Sequence, residues 1–143
     1  SHISTFGGNP VTSVAAKATI DIIEEDRLMD NADTVGRYYR DGLEALKEKH
    51  DVIGDVRGMG LMQAIELVKN RGTKEPAPEA TNQFMEQCRK GGLIVGKGGL
   101  FGNVIRTSPP LNISKADVDE AIRIMDQAFT AMSSPAMAGA ARS

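Results

Sequence analysis

Apolar residues recur at intervals of three and four through the first third of the chain. Val11, Val14, Ala15, Ala18 and Ile22 fall on one stripe, which predicts a helix from Pro10. Asn9 is placed to cap it, and Pro10 suits the first helical position, where a missing N–H costs nothing. A second helix is predicted through Val35, Tyr39, Leu43 and Leu46, with His50 near its end. Gly36 and Gly42 each weaken that helix by roughly 1 kcal/mol relative to alanine, and close packing would account for them. The period then changes. Val52 to Gly60 carries three glycines, and Leu61 to Val68 is apolar and β-capable, so two strands or one bent strand are predicted there.

Further on the elements shorten. Lys69 to Pro78 reads as a charged loop and Ala80 to Lys90 as a short helix closed by Gly91 and Gly92. Leu93 to Val95 is predicted to be a short buried strand, Gly96 to Gly102 a mobile glycine-rich loop, and Asn103 to Thr107 a strand halted by Ser108-Pro109-Pro110. Ser114 and Asp117 resemble a capping box. The helix after them is expected to bury Val118, Ala121, Ile122, Met125, Ala128, Phe129 and Met132. The small-residue tail from Ser133 is expected to be disordered. No internal repeat is evident. The predicted order suggests an α/β (α+β) domain with helices on one face of a small mixed or antiparallel sheet.

Composition narrows the class of function. The chain has 143 residues, 41% hydrophobic and 25% charged, enough for one domain with a real core. A formal net charge of −2 gives no electrostatic footprint for nucleic acid or a membrane surface, so neither partner is expected. No apolar run approaches the ~20 residues of a spanning helix, and no charged-then-apolar leader opens the sequence. One cysteine, Cys88, excludes an internal disulfide framework and fits a reducing compartment, so a cytoplasmic location is expected. Two histidines, His2 and His50, make no Cys/His zinc set, and no metal is expected.

Three places invite chemistry. Gly96, Gly98, Gly99 and Gly102 suggest a phosphate loop, but Phe101 stands where the dinucleotide fingerprint needs its third glycine, and a flexible loop is the better reading. Lys97 within it reads as a surface charge, because Schiff-base chemistry needs a buried, desolvated amine. Arg106 lies between Val104-Ile105 and the double proline. A guanidinium held there suits a carboxylate bidentately, and an exposed strand arginine or a structural ion pair remains the alternative. Thr5, with Phe6-Gly7-Gly8-Asn9-Pro10, puts a hydroxyl and backbone amides before a helix start. Such a place attracts anions, and a simple Asn9 cap over a glycine turn accounts for it equally well.

Taken in order, several segments resemble one family. They are Thr5 to Pro10, Ile53 to Met62 (Ile-Gly-Asp-Val-Arg-Gly-Met-Gly-Leu-Met), Gly92 to Gly96, Val104 to Leu111 (Val-Ile-Arg-Thr-Ser-Pro-Pro-Leu) and the closing capped helix. Up to about Met132 the chain resembles the C-terminal part of class III pyridoxal-phosphate (PLP) dependent aminotransferases, nearest the mitochondrial alanine–glyoxylate type. The resemblance implies the small C-terminal domain of a fold-type I PLP enzyme over residues 10–132. Residues 1–9 would then come from the large-domain and subunit-interface region. It implies that Thr5 binds the PLP phosphate of the other subunit in a homodimer and that Arg106 binds the substrate α-carboxylate. Arg57 occupies a position read as structural. In the family the Schiff-base lysine, the aspartate on the pyridine nitrogen and the stacked aromatic residue precede the Thr5 segment. No catalytic residue is therefore assigned here, and this chain alone is expected to be inactive. The intact protein would move an amino group from an amino acid or ω-amine to a 2-oxo acid. The other readings are a non-catalytic binding or regulatory module of the same fold, and a related PLP aminomutase or decarboxylase.

Overall fold

The computed structural model describes Thr5 and residues 7–133. Along the chain run α1 (Pro10–Glu25), α2 (Leu28–Lys49), β1 (Ile53–Met59), β2 (Met62–Asn70), β3 (Glu75–Pro76), α3 (Pro78–Lys90), β4 (Gly96–Gly98), β5 (Val104–Thr107) and α4 (Lys115–Met132). The sheet order is β1-β2-β5-β4, every pairing is antiparallel, and β3 pairs with the far end of β2. Leu67 donates its N–H to the Asn103 carbonyl at 2.8 Å and accepts from the Ala77 N–H at 3.1 Å. Both groups of a strand residue point to the same side, so β3 continues the line of β5.

Alternation along the strands sets the two faces. Val56, Ile65 and Ile105 align across three strands and are buried under the helices. Val35, Tyr39, Leu43 and Leu46 of α2 join them, with Phe84 and Cys88 of α3 and Val118, Met125, Ala128 and Phe129 of α4. Phe84 stacks on Phe129 with ring centroids 4.1 Å apart. In α4, Val118, Met125, Ala128 and Phe129 are buried as expected. Ala121, Ile122 and Met132 are only half-buried, and Ile124 is buried beside them.

Local signals explain the element ends. Asn9 accepts the Val11 N–H at 2.9 Å, and the reciprocal Ser114–Asp117 capping box is complete. After α3 it is Gly92, at φ 89°, that turns left-handed. The Gly92 N–H reaches the Arg89 carbonyl and the Leu93 N–H the Cys88 carbonyl, closing a Schellman motif. Gly36 explains itself through packing: a Cβ there would stand 2.3 Å from the Gly60 carbonyl carbon, so the β1–β2 turn lies directly on α2.

Three expectations need correction. Leu93 to Val95 is not a strand, and Ile94 is 90% exposed. The strand is instead the start of the supposed mobile loop, Gly96–Gly98, whose Gly96 lies opposite Arg106 on β5. The Lys69 to Pro78 loop contains β3. The expected disordered tail lies outside the described residues, apart from Ser133, which caps α4.

Candidate functional site

The face of the sheet away from the helices carries the charges. The register sets Arg57, Ala64, Arg106 and Gly96 in one row across four strands, and Asp55, Glu66, Val104 and Gly98 in the next. Arg57 is engaged on both sides: Nη1 lies 2.7 Å from Asp55 Oδ2 and 2.6 Å from Glu66 Oε2. The Asp55 carboxylate, then Glu66, holds its guanidinium pKa above the ordinary arginine value. Such cross-strand pairing suits the structural position at which Arg57 was read, although the ion pairs themselves were not foreseen.

Arg106 differs. It is exposed, and among the described residues its guanidinium has no hydrogen-bond or ion-pair partner. Its two neighbours in the row are Ala64 and Gly96, which offer no polar atom beyond backbone. One arginine on this face is thus neutralised and the other presents an unspent set of donors in a planar fork, the form that matches a carboxylate. A cavity of about 470 Å³ opens where β5 ends. Arg106, Thr107, Ser108 and Pro109 form one side of it, and Tyr39 and Val118 belong to its wall.

Thr5 lies elsewhere, in the exposed stretch before α1. The Asn9 side chain takes the Val11 N–H and Pro10 has none, so the start of α1 is not an open anion cradle. What remains for an anion is the Thr5 hydroxyl and the turn through Gly8, which is left-handed at φ 78° with nothing within 4 Å of where a Cβ would stand. α1 itself buries no residue, and Val11 and Val14 are 77% and 68% exposed. Lys97 is a surface group bonded to Asn82 Oδ1 at 2.8 Å, as expected of a solvated charge.

Residues that pattern alone did not single out sit directly behind Arg106. Tyr39 donates its hydroxyl to Thr107 Oγ1 at 3.1 Å, and Thr107 Oγ1 reaches the Gln63 carbonyl at 3.3 Å. Burial pushes the Tyr39 hydroxyl up to about 12, so it stays protonated as a donor. Thr107 could have been suspected as the neighbour of Arg106. Tyr39, 68 residues away, carried only a core signal.

Known proteins share this architecture. Residues 1–129 match the class-III aminotransferase family, and the chain belongs to it. The alanine–glyoxylate aminotransferase 2 homolog 2 of Arabidopsis thaliana, a mitochondrial protein by name, is 46% identical over 132 residues, covering 92% of this chain and 28% of the relative. An alanine/serine racemase of Pyrococcus horikoshii is 44% identical over 129 residues, 90% of this chain and 27% of the relative. Among solved structures, an amine transaminase from an uncultivated Pseudomonas species, in its PLP-bound form, superposes with a TM-score of 0.83. It is 32% identical, over 91% of this chain and 29% of that one. The chain therefore spans somewhat over a quarter of the length of these proteins.

Proposed function

We propose that the intact protein is a PLP-dependent aminotransferase that moves an amino group from an amino acid or ω-amine to a 2-oxo acid, working as a homodimer. The observation that carries this reading is Arg106: an exposed, unpaired guanidinium on the open sheet face, two strands from an arginine whose Nη1 is held by two carboxylates. Its role is to bind and orient the carboxylate of the amino acid or the oxo acid, which fixes the reacting carbon relative to the cofactor. PLP, when bound, supplies the electron sink of the reaction. Thr5 fits the other end of the site, since its hydroxyl is a donor suited to a phosphate oxygen and lies in an exposed, glycine-bearing turn. The exposed apolar stripe of α1 next to it is consistent with a subunit boundary there. A cytoplasmic site of action is part of this proposal; the buried, unpaired Cys88 fits any reducing compartment. No helix of the described residues is long and apolar enough to cross a membrane.

In the intact protein Arg106→Ala is expected to cost carboxylate substrates about 2–5 kcal/mol in kcat/KM, the range for truncating one partner of a close charged pair. An amine without a carboxylate should lose much less. Equal losses for both would assign Arg106 to structure. Thr5→Ala is expected to weaken PLP retention, read by equilibrium dialysis, by roughly 1.5–3 kcal/mol, with Thr5→Ser near wild type. Equal behaviour of the two variants would remove Thr5 from the phosphate site.

The similarity to an alanine/serine racemase favours a second reading, in which the same carboxylate clamp serves inversion at the α-carbon. Incubation with a single L-amino acid separates the two. Transfer requires an added 2-oxo acid and yields a new one, whereas inversion proceeds without an acceptor and yields the D-isomer.

A further inference from the structure

Arg106 has a fixed backbone and an unfixed side chain. Ala64 and Gly96 flank it across the sheet with a methyl group and a hydrogen, and no described residue holds the guanidinium. Whatever sets its starting point must act through β5 itself. That strand is only four residues long, Val104–Thr107, and its pairing with β2 runs out at the Gln63–Thr107 pair. Beyond it, Pro109 and Pro110 have no N–H to give, so the ladder has little with which to continue. A strand end of this kind frays first.

At that end a side-chain relay takes over. Tyr39, 3% exposed in the middle of α2, donates to Thr107 Oγ1, and Thr107, 9% exposed, passes the bond to the Gln63 carbonyl of β2. The hydroxyl pair thus ties α2, β5 and β2 together one residue from Arg106, on the opposite face of the strand. α2 is a firm anchor for it. Gly36 lies against Gly60, and Arg40 donates to the carbonyls of Val56 and Gly58 at 3.1 Å each.

We propose that Tyr39 and Thr107 are positioning residues for Arg106: their relay holds the end of β5 in place, and so the guanidinium in register with the substrate carboxylate. The inference rests on Arg106 being the carboxylate clamp. The competing account is that the two hydroxyls only satisfy each other in the core, in which case their loss would weaken the fold without favouring one substrate over another.

The test uses the intact protein with Tyr39→Phe, Thr107→Val, Thr107→Ser and Arg106→Ala. Three readouts are taken: the Kd of valerate, a non-reacting monocarboxylate, by calorimetry; KM and kcat for alanine against isopropylamine; and amide exchange along β5. Tyr39→Phe and Thr107→Val are each expected to raise the valerate Kd and the alanine KM about three- to tenfold, the equivalent of roughly one hydrogen bond. Isopropylamine KM should stay within about twofold, and Thr107→Ser, which keeps the hydroxyl, should stay near wild type. Amide exchange at Arg106 and Thr107 should quicken in Tyr39→Phe. The proposal is overturned if Tyr39→Phe affects both amines equally or neither, while Arg106→Ala still discriminates between them. Should Arg106→Ala itself leave valerate binding unchanged, the clamp reading fails and takes this inference with it. Tyr39→Phe keeps the ring and its packing, so it remains informative even if Thr107→Val folds poorly.

Discussion

α1 and α2 have the same kind of sequence and opposite fates. Each shows an apolar stripe at three- and four-residue spacing. In α2 the stripe is buried at Val35, Tyr39, Leu43 and Leu46, whereas α1 buries nothing. Periodicity says that a face will be covered; it does not say by what. α2 finds its cover inside the chain, on β1, β2 and α4, while α1 packs mainly against α2. The charged residues make the same distinction. Tyr38 of α2 bonds Asp119 and Arg40 clamps the β1–β2 hairpin, whereas the Lys17–Asp21 ion pair of α1 stays within its own helix.

The largest expected effect lies at the centre of the buried stripe. Leu43 is 0% exposed, so Leu43→Ala both loses transfer free energy and leaves a cavity. A loss of about 2–5 kcal/mol in unfolding free energy is expected from urea denaturation of this chain. A loss below about 1 kcal/mol would show that α2 is not the organising helix of the core.

A smaller effect is expected where α2 is latched to α4. Asp126 accepts from Lys49 Nζ at 2.6 Å and from His50 Nε2 at 2.7 Å, and the His50 ring lies 5.1 Å from Phe129. Lys49, then His50, holds the Asp126 carboxyl below the usual carboxylate range. The folded state thus binds this proton less readily than the unfolded one. The contribution is complete above the unfolded value of about 3.9 and is lost as pH falls through the lower folded value. Asp126→Asn should cost about 1 kcal/mol at neutral pH, since Lys49 is largely exposed. It should also flatten the fall in stability below about pH 4. An unchanged acid limb in the variant would remove Asp126 from the linkage.

The contrast also shows what the chain's pattern could and could not disclose. α1, α2, α4, the N-caps of α1 and α4 and the strand character of the β1–β2 segment were legible because periodicity, Asn9, Ser114–Asp117 and the glycines act locally. β4 was misplaced because Leu93-Ile94-Val95 looks like a strand by composition. The pairing goes instead to Gly96–Gly98, where a Cβ on Gly96 would stand 3.2 Å from the Arg106 carbonyl oxygen. The two-residue β3 has too little sequence to signal itself. Arg106 and Thr5 could be named from motifs. That Arg57 is spent on Asp55 and Glu66 while Arg106 is not depends on cross-strand register, and the Tyr39–Thr107 bond joins residues far apart in sequence.

The smallest expected effect is the sharpest probe of the comparison. Val14 is 68% exposed on α1, so in this chain Val14→Ala removes little buried area. It also replaces a β-branched residue by the best helix former, a gain of a few tenths of a kcal/mol. In the 143-residue chain the change should therefore lie within about 0.5 kcal/mol of zero in urea unfolding. The intact protein should respond differently if the stripe is covered there. A buried valine truncated to alanine gives up two methyl groups at roughly 0.8 kcal/mol each for transfer alone, so a loss above about 1.5 kcal/mol, or a weakened subunit association in sedimentation, is expected. If the intact protein is as indifferent to Val14→Ala as the chain is, the stripe on α1 faces solvent in both. The exposed apolar face would then lose its place beside Thr5 as a subunit boundary. If the chain alone loses stability, α1 is packed on its own domain more closely than its exposure implies, and the difference between the two helices is one of degree.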